Sequence, residues 1–446
     1  MSETQHFDTI VIGGGPGGLA VAFGLAEQQQ VAVVESDLWG GTCPNRGCDP
    51  KKMLYGVVES RMQDRRYAQH GLTGAAEIDW PALMAFKHSY TDGVPTGTEK
   101  GLAGSGVTTI HGAAAFLDPH TIRVGDAEYT AEFIIIATGA HALKPDIPGG
   151  DLLGTSTDFL DLPLLPPTMA FIGGGYVAVE LANIAANAGA QVHLIQHNHR
   201  LLRDFPETYT QRLAKIMAAR GIIFHWNTTV EKVTETADGV ALQLSDGQSL
   251  AVARAFSAIG RPANTDLNLA AVGLTAVKGG IAVNDHLQTI QPNIYAVGDV
   301  IAKNQPKLTP VASYEGRYVV GQILGQDTAA IQYPVVPHIV FASPELGQVG
   351  VRLGTTAQAP DRYTVEEQDL RGWYTYQRIQ DKTARVTTIT DKNTHRLVGA
   401  VVLAVDAEEL LNYLTVLIQE QKPASALQQW IPVYPSVASD LSYLYH

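Results

Sequence analysis

Thr9-Ile10-Val11-Ile12 is a short apolar, β-branched run, and its length and residue type predict a buried strand. It leads directly into Gly13-Gly14-Gly15-Pro16-Gly17-Gly18, then an apolar helical stretch from Leu19 to Ala26. A second strand, Val31 to Val34, ends in Glu35. Helical segments are expected over Lys51 to Gln69 and Trp80 to Leu102, with strand-like pieces at Val107 to Ile110 and Thr121 to Val124. Phe133 to Ala137 reads as another buried strand, closed by the Thr138-Gly139 turn, and Pro145 to Pro163 as a connector rich in Pro, Gly and Asp.

The opening pattern then repeats. Thr168 to Ile172 leads into Gly173-Gly174-Gly175-Tyr176-Val177-Ala178, a helix through Glu180 to Ala188, and a strand from Gln191 to Ile195. Alternating segments at Gly221 to Asn227, Thr229 to Thr234 and Val240 to Leu244 suggest a β-rich flap, and Phe256 to Pro262 closes this lobe. Asn293 to Val300 is a strand ending in Gly298-Asp299, and Leu308 to Ala312 opens a helix through about Leu324. From Tyr333 the texture changes to β-branched runs and acidic helices, a separate α+β domain.

The two glycine clusters change this picture from architecture to chemistry. Gly13, Gly15 and Gly18 satisfy G-x-G-x-x-G between strand and helix, with Glu35 roughly twenty residues on, where an acid accepts hydrogen bonds from a ribose. Their lack of side chains lets backbone N–H groups approach a pyrophosphate at the helix N-terminus. Gly173, Gly175 and Ala178 form a second such turn, so the chain carries two dinucleotide sites. Where the first has Glu35, the second has Gln196, followed by His197, Arg200 and Arg203. A carboxylate there would repel a 2′-phosphate, whereas Gln with cations accommodates one, so the second site leans towards NADP(H), with NAD(H) as the alternative.

Both cysteines of the chain, Cys43 and Cys48, lie between these sites in Gly40-Gly41-Thr42-Cys43-Pro44-Asn45-Arg46-Gly47-Cys48-Asp49-Pro50-Lys51-Lys52. Taken alone, the pair could be a structural bridge, two incidental thiols, or a dithiol that cycles with its disulfide. A bridge over so small a ring constrains little unfolded-chain entropy, which favours electron transfer. Asp49 and Pro50 suit the start of a helix, whose partial positive charge, with Lys51 and Lys52, would favour a thiolate on Cys48. A dinucleotide site before the pair and another after it make a merely structural bridge the weaker reading.

Composition narrows the rest. The 446 residues leave room for several domains, and with 17% charged and 45% hydrophobic residues the chain is of the ordinary globular kind. A net charge of -13 argues against nucleic acid or an anionic membrane as partner. Met1 to Asp8 is polar and acidic with no signal peptide in view, and the apolar runs are too short to span a bilayer. Two cysteines in one motif fit a cytoplasmic redox role, and no metal-ligand pattern is apparent.

On these residues the sequence resembles the flavin-dependent pyridine nucleotide–disulfide oxidoreductases, in their glutathione reductase branch. The cysteine stretch is similar to the family's G-G-T-C-x-N-x-G-C-x-P-K-K, Gly173 to Glu180 to its second nucleotide motif, Ala296 to Val300 to its A-x-G-D, and Leu308 to Ala312 to its L-T-P-V-A. The resemblance implies an α/β fold with two Rossmann-like domains, for FAD and NAD(P), and a C-terminal α+β dimerisation domain. The segments would be 1–150 and 263–332 for FAD, 151–262 for NAD(P), and 333–446 for a homodimer interface where the substrate site forms.

It further implies FAD lined by Gly13, Gly15, Gly18, Glu35, Gly41, Thr42, Ala114, Thr138, Gly139, Asp299 and Thr309. Cys48 would be the flavin-side sulfur and Cys43 the interchange thiol that attacks substrate. Lys51 or Lys52 would lie near the reactive flavin nitrogen, with Lys51 paired to Glu180. Tyr176 would gate the flavin, and Arg261 would join Gly173, Gly175, His197 and Arg203 in the nicotinamide nucleotide pocket. Electrons would run from NADPH through FAD and the cysteines to a low-molecular-weight disulfide.

The departures concern the acceptor. Tyr434 stands where dithiol-active members have an acid–base His, and Ser439 where they have Glu. A tyrosine donates a proton but, with a pKa near 10, is a poor base at neutral pH. Phe23 replaces a substrate-binding Arg of glutathione reductases and Pro16 a Ser, Arg317 matches a substrate Arg, and Asp49 replaces an apolar residue beside Cys48. The alternative expectation is a reductase of a quinone, metal ion or reactive oxidant, which needs no such His. A redox sensor is disfavoured by the intact second nucleotide site.

Overall fold

Gln5–Ile12 is a central strand of a seven-stranded sheet in a computed structural model that describes residues 4–74 and 76–446. Thr108–His111, Val31–Glu35, Gln5–Ile12 and Ala127–Ile136 run parallel in that order. The first residues of Ala127–Ile136 pair antiparallel with Thr121–Val124 and its last with the parallel strand Ile294–Ala296. Ala114–Asp118 completes the sheet beyond Thr121–Val124. The runs at Ile10 to Ile12, Val31 to Val34 and Ile134 to Ile136 are buried throughout, as parallel strands covered on both faces must be. This sheet belongs to a compact unit of Met1–Met53, Ala85–Leu143 and Gly260–Gln332.

The second unit comprises Leu54–Met84, Lys144–Ile259 and Tyr333–His446. Its parallel sheet runs Arg254–Ser257, Thr168–Ile172, Gln191–Gln196, Ile222–Trp226. Val230–Thr236, Gly239–Leu244 and Ser249–Val252 form an antiparallel three-stranded flap. The C-terminal part is a five-stranded antiparallel sheet ordered His338–Val340, Glu345–Gly350, Arg396–Ala404, Arg385–Asp391, Tyr363–Asp369. Helix Ala407–Gln419 buries Leu410, Leu411, Leu414, Leu417 and Ile418, one helical face by spacing. The α/β class with an α+β C-terminal part is as expected.

Three local expectations are corrected and one helix is added. The segment Trp80 to Leu102 is two helices, Trp80–Thr91 and Val94–Gly104, because Gly93 caps the second and Pro95 lacks the N–H a continuous helix needs there. The connector Pro145 to Pro163 contains a helix, Ser156–Leu160, capped by reciprocal Thr155 and Asp158 bonds. Phe159 anchors it by packing against Phe171 and Phe256 at 5.7 and 5.6 Å. Ile222–Trp226 is an edge of the parallel sheet rather than part of the flap. Glu207–Ala219, absent from the sequence reading, is a helix that buries Tyr209, Leu213 and Met217 at a spacing of four.

Candidate active site

The first glycine turn leaves no room for side chains. A Cβ on Gly18 would lie 2.0 Å from the Gly13 carbonyl oxygen, and one on Gly13, where φ is +114°, 2.3 Å from that of Ala137. Helix Pro16–Leu25 starts from Gly15 with no side-chain cap, so its N–H groups face the loop as an anion-binding end. Glu35 is buried at the carboxyl end of its strand, taking the Gly14 N–H on Oε2 and the Asp37 N–H on Oε1, each at 2.8 Å. Each oxygen keeps a lone pair for a ribose hydroxyl.

Gly41 presses on this turn, a Cβ there lying 2.6 Å from the Gly15 Cα, and Thr42 follows, exposed at the head of helix Thr42–Arg46. The Asn45 amide donates to the carbonyls of Trp39 and Gly41 at 2.9 and 2.8 Å. Thr138 and Asn264 exchange two 2.7 Å hydrogen bonds beside Gly139. Ala114 is buried, opposite Val124 in the sheet. Asp299 lies in the turn Gly298–Val300. The Gly298 N–H donates to the fully buried Glu315 carboxylate at 2.7 Å, and Lys303 pairs with Glu315 at 2.5 Å. Cradle, carboxylate and uncapped helix end fit a dinucleotide, and all belong to the first unit.

The same unit holds both thiols. Cys43 is in the short helix, and Cys48 is the first residue of Cys48–Tyr67, with buried Pro50 and Lys51 and half-buried Lys52 on that first turn. Both cysteines are free. Cys48 Sγ lies 3.8 Å from Thr309 Oγ1. The Cys43 S–H hydrogen-bonds to Cys48 and, with Thr309 and the Lys51 charge, pulls the Cys48 pKa from 9.0 to about 6 against burial and the Asp49 charge. Cys43 moves the other way, raised by its bond to Cys48, by burial and by the Cys48 and Asp49 charges. The pair therefore holds one thiolate, on Cys48, and one thiol, on Cys43. Asp49 opposes the Cys48 thiolate, as expected, and is outweighed.

Asp49 also makes contacts the sequence did not announce. Its Oδ1 lies 4.0 Å from Cys43 Sγ, an alternative acceptor for the proton that Cys48 otherwise takes, and the Tyr90 hydroxyl donates to its Oδ2 at 2.7 Å. That hydrogen bond raises the Tyr90 pKa, helped by partial burial and the Asp49 and Cys43 charges. Tyr90 is in helix Trp80–Thr91, outside any motif, and Glu315 and Lys303 lie between motifs. No local pattern marks these residues.

The second glycine turn is in the second unit. A Cβ on Gly173 would come within 2.4 Å of the Ala258 carbonyl oxygen, Gly175 begins helix Tyr176–Ala188 without a side-chain cap, and Ala178 is fully buried in the sixth place. Tyr176 is exposed, and buried Glu180 accepts the Phe341 N–H at 2.8 Å. Gln196 ends its strand with its amide donating to the Arg200 carbonyl at 2.9 Å and to Asn198 at 3.1 Å. Arg200 turns inward to the carbonyls of Arg203 and Phe205, leaving His197 and Arg203 exposed in the loop together with His199, which lies 3.4 Å from Glu207. With no carboxylate at the strand end, the site fits a dinucleotide bearing an extra phosphate. Arg261 is in the first unit, donating to the Ala140 carbonyl at 2.6 Å.

Tyr434 is 78% exposed in the apolar run Trp430, Ile431, Val433 and Tyr434. Ser439 bonds the Ser436 backbone on both sides and so caps the turn Val437–Asp440. Among the described residues no cluster of three or more His, Cys, Asp or Glu is arranged to hold a metal, and no helix is long and apolar enough to cross a membrane.

Residues 7–316 match the pyridine nucleotide-disulphide oxidoreductase family and residues 336–444 the dimerisation domain of that family. The chain is 31% identical to a glutathione reductase of Burkholderia cepacia, over 98% of each chain. It is 32% identical to the chloroplastic/mitochondrial glutathione reductase of Pisum sativum, over 81% of this chain and 68% of that one. Among solved structures it resembles the HOCl-induced flavoprotein disulfide reductase RclA from Escherichia coli, with a TM-score of 0.89 and 27% identity over 98% of this chain and 99% of that one. It is similarly close to a cysteine-to-serine mutant of RclA in complex with Cu(II), with a TM-score of 0.89 and 26% identity over 99% of each chain.

Proposed function

The chain belongs to the pyridine nucleotide-disulphide oxidoreductases, and we propose that it passes electrons from NADPH through Cys48 and Cys43 to a low-molecular-weight disulfide. It is an NAD(P)H-dependent flavoprotein disulfide reductase, its cofactors are FAD and NADP(H), and its dimerisation domain makes it a homodimer. FAD, held by the first glycine turn and Glu35, would supply the two-electron chemistry that links NADPH to the Cys43–Cys48 pair. The observation that carries the reading is the placement of the two thiols, with Cys48 opening its helix 3.8 Å from Thr309 Oγ1 and Cys43 in the short helix before it. Cys48 stays charged on the flavin side, where Thr309 and Lys51 support it. Cys43 is the sulfur that meets the acceptor.

Glu35 holds the flavin's adenosine ribose, with Gly13, Gly15, Gly18, Gly41, Thr42, Ala114, Thr138, Gly139, Asp299 and Thr309 around the rest. Gly173, Gly175, Tyr176, Glu180, His197, Arg203 and Arg261 serve the nicotinamide nucleotide, and the exposed bases His197 and Arg203 favour NADPH. Lys51, with Lys52 beside it, supplies positive charge near the reduced pair. Tyr434 lines an acceptor site shared between subunits. A cytoplasmic setting, where thiols stay reduced, suits a pair that must cycle.

A second reading has a quinone, Cu(II) or a reactive oxidant as acceptor. Two observations favour it: Ser439 is occupied in capping its own turn, and RclA, similar along its whole length, is described as HOCl-induced, with a Cu(II) complex described for its cysteine-to-serine mutant. A turnover panel decides. NADPH and NADH are offered with glutathione, γ-glutamylcysteine, coenzyme A and lipoyl disulfides, quinones and Cu(II). Turnover of one disulfide well above all other acceptors is expected. Turnover of quinone or Cu(II) with none of any disulfide overturns the first reading in favour of the second.

A further inference from the structure

The interchange thiol has a carboxylate of its own. We propose that Asp49, held in place by Tyr90, takes the proton of Cys43 as it attacks and returns it to the departing thiolate. This rests on the disulfide-reductase reading and supplies what the exchange of His for Tyr434 removes. Three groups stand in a row: Asp49 Oδ1 lies 4.0 Å from Cys43 Sγ as the alternative acceptor for the proton that Cys43 otherwise shares with Cys48, and Tyr90 donates to Asp49 Oδ2 at 2.7 Å. The first distance is at the long end for a sulfur hydrogen bond, and such contacts tighten when substrate arrives. Asp49 is the second residue of helix Cys48–Tyr67, where the macrodipole favours a carboxylate. Tyr90 is 44% exposed, so the device opens to solution, where an acceptor arrives.

The groups acting on Cys43 are Cys48, Thr309 and Asp49, with Tyr90 across from them and Lys51 acting on Cys48. Cys48 already carries the negative charge of the pair, so Cys43 reaches the acceptor protonated and needs a base at the moment of attack. In the first exchange the Cys43 S–H proton passes to Asp49, a bond forms from Cys43 to one sulfur of the disulfide, and the S–S bond of the acceptor breaks. The leaving thiolate takes the proton from Asp49. In the second, the Cys48 thiolate attacks Cys43, the Cys43–Cys48 disulfide forms, and the second thiolate leaves with a proton drawn from water through Asp49. Two electrons and two protons have then reached the acceptor. Asp49 touches the reacting sulfur and is catalytic, whereas Tyr90 acts through Asp49 and is a positioning residue.

Asp49→Asn keeps the shape and removes the base. In the holoenzyme reduced with dithiothreitol and desalted without oxygen, Cys43 alkylation by iodoacetamide near neutral pH is expected to rise roughly threefold, because a charge opposing the thiolate is gone. Turnover of an alkyl disulfide is expected to fall at least about tenfold, and that of an aromatic disulfide, which loses the base at attack but whose thiolate leaves without a proton, to fall several-fold less. Tyr90→Phe is expected to slow the alkyl disulfide less and to move the acid limb of its pH profile upward. It should add nothing in the Asp49→Asn background. Both rates falling by the same factor means a structural role, both rising means a charge effect alone, and both unchanged means no role. Each of these overturns the proposal. If the wild type turns over no disulfide, the disulfide-reductase reading fails separately. The alkylation arm then decides: an unchanged rate removes Asp49 from the Cys43 thiol altogether, and a faster one shows its charge acting on that thiol while the proton-transfer role falls with the acceptor.

Discussion

Thr309 Oγ1 lies 3.8 Å from Cys48 Sγ, and each residue is the first of its helix. Two positive helix ends and a hydroxyl therefore converge on one sulfur. Thr309→Val is expected to raise the Cys48 pKa from about 6 by about one pH unit, the scale of a hydrogen bond to a charged group. The group is an acid whose charged form is favoured, so thiolate is present above that pKa and lost as pH falls through it. Titrating the long-wavelength absorbance of the two-electron-reduced protein measures this, and an unmoved midpoint in the variant rejects a role for Thr309.

Cys48→Ser should abolish that absorbance on anaerobic addition of NADPH, while Cys43→Ser should keep it, because only Cys48 has a lowered pKa. Disulfide turnover should be lost in both. A band that survives in Cys48→Ser reverses the assignment of the two sulfurs.

His197 and Arg203 are exposed after Gln196, as is His199, which Glu207 engages. Replacing both with alanine should lower kcat/KM for NADPH about tenfold, or 1.4 kcal/mol, with NADH changed less than about twofold. Equal losses for both nucleotides would show that the two side chains do not meet the 2′-phosphate.

Tyr434 is exposed and lacks the glutamate partner of the family's histidine, its counterpart Ser439 being part of a cap. Tyr434→Phe should therefore slow disulfide turnover by no more than about threefold, well short of Asp49→Asn. A loss as large as that of the Asp49 variant would return the proton transfer to Tyr434.

Glu315 and Lys303 form a buried pair beneath Gly298. Glu315→Leu leaves Lys303 buried without its carboxylate and should cost about 3–5 kcal/mol, read by chemical denaturation, with earlier flavin release on heating. Stability within error of the wild type would mean that Lys303 finds water in the variant.

What could be read from the chain was what neighbours in sequence determine. Gly13, Gly18 and Glu35 are separated by one strand–turn–helix unit, and Cys43 and Cys48 by one turn, so their spacing carries their geometry. Tyr90 meets Asp49 from a helix 41 residues on, and Glu315 reaches Gly298 from 17 residues away. Such pairs exist only after folding. Arg200 had the composition of a surface cation, yet two backbone carbonyls hold it inward. Ile222–Trp226 had the alternation of a flap strand, but sheet membership is decided by which edge is open, and Gln191–Gln196 offered one.

Asn45 deserves a last consequence. Its amide ties the carbonyls on either side of Gly40 from inside the loop that bears both sulfurs. A backbone braced this way has little freedom to rearrange when two electrons arrive or depart. The change of oxidation state is then taken up by rotation of sulfur side chains on a fixed frame, which keeps the reorganisation energy of each half-cycle low. The amide of Asn45 makes the pair a reusable electrical contact.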